Sequence, residues 1–169
     1  MTVSQLRSDL QGSRKQLFSL IRGLSEEQFR YAPEVDAWPI AAHLAHLLRT
    51  ERLFVERARL AVEEDEPRIP STEVLNDDDP GLAQRLAVPQ IIHGMQAARR
   101  ELDELLARCD DAALVRTMVH ERLGRLTVRD VAAKMAAHER EHAEAVAQIL
   151  RQVPSGGRVI IPLTRRSIG

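Results

Sequence analysis

The sequence predicts an all-α fold, a four-helix bundle, and three observations predict it. Apolar residues recur at helical spacing over four separate stretches. Alanine, leucine, arginine and glutamate dominate, and these residues favour helices. Aromatic residues make up only 3% of the chain and β-branched residues are sparse, which argues against a sheet.

The first helix is expected over residues 3–24, where Val3, Leu6, Leu10, Leu17, Ile21 and Leu24 make one apolar stripe. Gly23 weakens its end. Ser25-Glu26-Glu27-Gln28 reads as a capping box for a short following turn. Two prolines then interrupt the pattern. The second helix starts near Pro39, a residue suited to a first helical position, and runs to about residue 64. Ile40, Leu44, Leu47, Phe54 and Ala58 form its core face. A polar, proline-containing connection occupies residues 65–81, a surface linker by its composition and long enough for a site lid.

The third helix spans about residues 89–109, with a short helical lead-in at 82–86. Its stripe is Val88, Ile91, Met95, Leu102 and Leu106. Residues 112–126 alternate weakly and include Gly124, so a short extended piece or loop fits as well as a helix. Thr127 is the N-cap of the fourth helix, with Asp130 three residues on, and Pro154 to Gly157 stop it. The whole reads as an up-down bundle with a long connection between helices two and three, one domain over residues 1–153, followed by a tail at 154–169. The tail, apolar and then basic, is expected to pack on the bundle or on a second subunit or to stay disordered, and its run Val159-Ile160-Ile161 mildly favours a second subunit.

Composition narrows the function. The formal net charge is −1 and the cations are scattered among acids, so neither nucleic acid nor an anionic membrane is an expected partner. No apolar run reaches membrane-spanning length, and no signal-peptide pattern opens the chain. Cys109 is the single cysteine, so no intrachain disulfide forms. A cytoplasmic location is expected.

Chemistry concentrates in His138-Glu139-Arg140-Glu141-His142. Histidines four residues apart lie one turn apart on one helix face, so both can reach a single metal ion. On a helical wheel His142 falls inside the apolar arc of helix four, His138 at its edge, and Glu139 points inward. A buried glutamate needs a partner, and an orienting bond to His138 is the expected one. A third imidazole would come from helix two. There the wheel favours His43, at the edge of the apolar face; His46 lies about 100° from its centre, and Glu51 lies near that centre. His93 points to solvent. His120 precedes helix four and is either a group supporting the site or inert. Arg140 and Glu141 face solvent.

The same five residues satisfy H-E-x-x-H, the zinc-protease signature. A metzincin would continue with glycine and histidine where Ala145 and Gln148 stand, and no histidine follows His142. The protease reading is therefore the weaker one.

A broader pattern starts at Trp38-Pro39-Ile40-Ala41-Ala42-His43-Leu44-Ala45-His46-Leu47, followed by Glu51. It continues at Leu123-Gly124-Arg125-Leu126-Thr127-Val128-Arg129-Asp130 and ends in His138 to His142. In these residues the chain resembles the DinB/YfiT-like family of metal-binding four-helix proteins. The resemblance implies that His46, His138 and His142 are the ligands, with His43 as fallback and Glu139 and Glu51 as supporting residues. It implies a divalent metal, zinc or nickel, and an enzyme of thiol S-transferase or hydrolase type acting on a small molecule, with a low-molecular-weight thiol as a further cofactor. A homodimer is also implied. A non-catalytic, stress-related metal-binding bundle is the alternative.

Overall fold

The computed structural model describes residues 1–71 and 80–153. Among these residues seven helices lie in this order with three short strands: α1 Val3–Ile21, α2 Glu26–Arg30, α3 Ile40–Glu63, β1 Arg68–Ile69, α4 Pro80–Arg85, α5 Val88–Ala107, α6 Asp111–Leu114, β2 Thr117–His120, β3 Gly124–Thr127 and α7 Val128–Leu150. The four long helices, α1, α3, α5 and α7, are those expected from the apolar stripes, and they form a four-helix bundle. No helix among the described residues is long and apolar enough to cross a membrane. The tail, including Val159 to Ile161, and residues 72–79 of the connection before α4 lie outside the described residues.

Local chemistry explains most boundaries. Thr2 and Gln5, Ser25 and Gln28, and Thr127 and Asp130 each form a reciprocal capping box at the start of α1, α2 and α7. α1 stops at Ile21, earlier than its stripe suggests, because Gly23 turns the backbone left-handed at φ 76°. Pro39 is the N-cap of α3 rather than its first helical residue, which is Ile40; its backbone there is extended, with φ held by the ring.

The stripes meet in one core. Leu6, Leu10 and Leu17 from α1, Leu44 and Leu47 from α3, Met95, Leu102 and Leu106 from α5, and Met135 and Val146 from α7 are all buried. Around the bundle α1 packs on α7, α7 on α3 and α3 on α5, with a lighter contact between α5 and α1. α3 and α5 approach closely at Gly94: a Cβ there would lie 2.9 Å from a methyl of Leu48, which would have to shift.

Helix direction follows from end-to-end contacts. Arg7 pairs with Asp103, while Arg14 bonds the carbonyl of Met95, so α1 and α5 run oppositely. His43 meets His142 and His46 meets His138, so α3 and α7 run oppositely. Beyond the C-terminus of α3, β1 pairs in parallel with β2, which follows the C-terminus of α5. The C-termini of α3 and α5 therefore share one end of the molecule, and the two helices run the same way. The long connection is a crossover returning the chain to the end where α3 began.

Residues 117–127 form a β-hairpin, antiparallel from Thr117 opposite Thr127 to His120 opposite Gly124. Of the readings the sequence allows for this stretch, the extended one is found. Gly124 sits at φ 72°, where a side chain would be strained. Arg116 anchors the hairpin to α3 by donating to the carbonyls of Ala61 (2.8 Å) and Glu64 (2.7 Å). The hairpin thus covers one end of the α3–α7 groove and leads into Thr127.

Candidate metal centre

Four imidazoles converge where α3 crosses α7. His138 Nε2 lies 3.0 Å from His142 Nε2 and 3.3 Å from His46 Nε2. One ring nitrogen from each of these three residues falls within 4.8 Å of the other two. Ligands about 2.0–2.1 Å from a tetrahedral zinc stand about 3.3 Å apart. The spacing of the three nitrogens therefore fits a shared divalent ion with no large movement. A chain of hydrogen bonds explains it less well, since Nε2 of His138 would have to serve both neighbours with a single proton or lone pair.

His43 joins the cluster from the other side of His142. Its Nδ1 lies 2.8 Å from Nδ1 of His142, the nitrogen turned away from His138. Trp38, just before α3, covers the group: its ring centroid lies 5.3 Å from that of His43, 5.4 Å from His46 and 6.3 Å from His142.

The position of His46 has a simple cause. α3 touches α5 along one side and α7 along another. A wheel centred on its apolar arc averages the two, so a residue aimed at α7 alone falls on the flank. Both His43 and His46 lie on that flank, one turn apart.

Burial makes these imidazoles hard to protonate. His142 is pushed down to about 3, by burial first and then by His138, His43 and His46. His43 is pushed down to about 4, by burial and then by His46. His138 is also lowered, chiefly by burial and next by His46. Neutral imidazoles with lone pairs directed at one point are what a metal requires.

Glu139 and Glu51 do something other than support the histidines. Both are fully buried, and their carboxylates are held by two buried arginines. Arg14 donates to Glu139 Oε1 and to Glu51 Oε2, each at 2.5 Å. Arg99 donates to Glu51 Oε1 and, at 3.0 Å, to Glu139 Oε2. Ser13 completes the shell of Glu139. The expected orienting bond from Glu139 to His138 is thus replaced by an ion-pair quartet with one member from each long helix. With both oxygens committed, Glu139 is in no position to act as the general base of an H-E-x-x-H protease. Arg14 and Arg99 were not anticipated, although each occupies a gap in an apolar stripe, between Leu10 and Leu17 and between Met95 and Leu102.

The remaining histidines separate. His93 is exposed on α5. His120 is buried in the hairpin, where its Nδ1 accepts from the backbone N–H of Arg122 and Leu123, both at 3.2 Å. Arg140 reaches α1 to pair with Asp9, and Glu141 is exposed. Beside the cluster, a cavity of about 630 Å³ extends from His46 and His138 towards the hairpin.

The sequence pattern of the DinB superfamily matches residues 9–146. No curated protein sequence matches the chain. Among solved structures, one similar fold is YfiT from Bacillus subtilis, described as "a probable metal-dependent hydrolase with an unusual four-helix bundle topology". It is 14% identical, with a TM-score of 0.76 over 89% of this chain and 86% of that one. Another is TT2238, a four-helix bundle protein, 20% identical, with a TM-score of 0.65 over 87% of this chain and 99% of the other. The family match spans most of the residues that build the bundle and all of those that build the histidine cluster, and the chain belongs to the DinB superfamily.

Proposed function

We propose that this protein binds one divalent metal ion through His46, His138 and His142 and is a metal-dependent enzyme acting on a small molecule. The observation that carries this reading is the set of ring nitrogens 3.0 and 3.3 Å apart. Three protein ligands leave a tetrahedral ion one position for water or substrate, the arrangement of catalytic rather than structural sites. When bound, the ion supplies Lewis acidity that lowers the pKa of water or a thiol. The description of YfiT favours hydrolysis; transfer to or from a low-molecular-weight thiol is the other chemistry such an ion supports. Zinc and nickel both suit an all-imidazole site.

The chain's own residues do the rest. His138 and His142 stand on one face of α7, and His46 faces them from α3. His43 takes the second nitrogen of His142: with a proton on Nδ1 of His142, the lone pair of His43 Nδ1 accepts it, leaving Nε2 of His142 for the ion. Trp38 shields one side, while the cavity beyond His46 and His138 gives a substrate its approach.

Elemental analysis of protein purified without chelator should find about one metal per chain, and His142→Ala should lose it. A metal-free wild type that also fails to take up zinc or nickel in calorimetry would end this reading. A finer test concerns His43. His43→Leu should weaken metal binding about 10–100-fold, the usual cost of removing a ligand's hydrogen-bond partner. In His43→Asn the amide oxygen can stand where Nδ1 stood, so affinity should recover. Equal losses in both variants would instead make His43 a direct ligand.

A further inference from the structure

The cavity next to the histidine cluster has a chemical character of its own. At about 630 Å³ it is the size of a metabolite site. One end is formed by His46 and His138. Phe54, Leu126 and Val131 supply apolar wall between the ends. Towards the hairpin the lining includes the donors His120 and Arg122. His120 is buried there, and because its Nδ1 accepts two backbone N–H groups, its proton resides on Nε2. Lys134 from α7, one turn before His138, and Arg122 from the hairpin turn also line the cavity, and both act on His120, as does Arg57 from α3.

Two acids, Asp130 and Glu141, also line the cavity, against the three cations Arg57, Arg122 and Lys134. Asp130 is committed to the start of α7, where its Oδ2 accepts from Thr127 N at 2.8 Å and from Thr127 Oγ1 at 2.7 Å. Glu141 is exposed, as are Lys134 and Arg122, so water and salt screen all three alike. The local field is registered by His120, which is lowered by burial first and then by Arg57 and Lys134; Glu121 opposes them, and Arg122 lowers it least.

We propose that this cavity binds an anionic small molecule, a carboxylate or phosphate ester, with its acid group on the His120, Lys134 and Arg122 wall, its apolar body against Phe54, Leu126 and Val131, and its reacting group at His46 and His138. The last clause rests on the metal reading above; the acid-binding wall does not. The donors are charged or polarised, and charge-assisted hydrogen bonds to an acid group are stronger than neutral ones. A neutral ligand of the same shape would leave the buried His120 N–H facing a weaker acceptor.

The test compares 3-phenylpropionate with 3-phenylpropionamide, by calorimetry, on metal-free and zinc-loaded protein. The acid should bind about tenfold tighter than the amide in both forms, equivalent to one charge-assisted bond, and the preference should shrink with added salt. In the double variant Lys134→Met, Arg122→Gln, built on two exposed side chains, the preference should fall to near parity. Equal binding of acid and amide to the wild type overturns the proposal. So does a preference that survives the double variant, or one present only with zinc, since a carboxylate can coordinate the ion directly. Failure of zinc to load, with the acid preference intact in the metal-free protein, would overturn the metal reading and leave the anion site standing.

Discussion

Replacing Glu139 with glutamine is expected to lower the folding free energy by about 3–5 kcal/mol in chemical denaturation, the usual cost of breaking a buried ion pair by removing one partner. The quartet of Arg14, Glu51, Arg99 and Glu139 is neutral as a set and nearly dry: the glutamates are fully buried, Arg14 is 7% exposed and Arg99 8%. Its two arginines also donate to the carbonyls of Met95 and Leu10, so their positions are fixed from outside the quartet. Glutamine keeps the shape of the side chain and removes its charge. Two guanidinium groups would then share one carboxylate in a medium that solvates them poorly. Glu51→Gln should cost about the same, because the two carboxylates bridge the same arginines. Arg7→Ala, which removes the partly exposed pair with Asp103, should cost far less. Comparable effects at Glu139 and Arg7 would show that the quartet is hydrated in solution.

The quartet also accounts for a choice among packings. Apolar stripes on four helices are compatible with several helix orders and axial offsets. One charged residue per helix, meeting at a single level, is satisfied by few of them. Combining Glu139→Gln with Arg99→Met restores neutrality, so the double variant should recover part of the stability lost in the single one. Because the Glu139 carboxylate bonds arginines rather than imidazoles, metal affinity in Glu139→Gln should follow the stability of the fold and not the identity of residue 139.

Much of this architecture is legible in the chain because helices announce themselves locally. The stripes on α1, α3, α5 and α7 and the capping boxes at Ser25 and Thr127 are patterns within a few residues. Helix direction is not of that kind. It depends on where the crossover between α3 and α5 lands, and no local period encodes that. The hairpin at 117–127 is ambiguous for a related reason: its pairing is fixed partly by β1 and by Arg116 reaching α3, contacts about 50 residues away in sequence. At the site, the inward position of Glu139 is legible, but its partners lie on three other helices. The clue to them is that arginine occupies a core position of the α1 stripe at Arg14 and of the α5 stripe at Arg99. His46 shows the limit of the wheel: the pattern beginning at Trp38 selects it, while a single apolar arc selects His43, and the structure brings both to His138 and His142.

Acid is expected to destabilise the metal-free protein well above the pH at which carboxylates titrate, and zinc should oppose it. In the unfolded chain histidines titrate near 6.5, whereas in the folded protein His43 is held down to about 4 and His142 to about 3. Between those limits the unfolded state binds more protons than the folded one, so stability rises with pH. The contribution is complete above about pH 6.5 and is lost progressively as pH falls towards 4 and then 3. His138 and His120, also lowered by burial, act in the same direction. Near pH 5 unfolding should take up about two protons from His43 and His142 alone, fewer to the extent that water reaches the partly exposed rings. Zinc at about 100 times its dissociation constant adds about 2.7 kcal/mol by binding only the folded state. It needs the same lone pairs that protons take, so its stabilisation should fade over this pH range as well. Urea titrations at pH 7, 6 and 5, with chelator and with zinc, measure both effects. The double variant His43→Leu, His142→Leu should flatten the metal-free profile and erase the response to zinc. A wild-type profile already flat from pH 7 to 5 would mean that these imidazoles protonate freely in the folded state, and rings that do so are not gathered around one point.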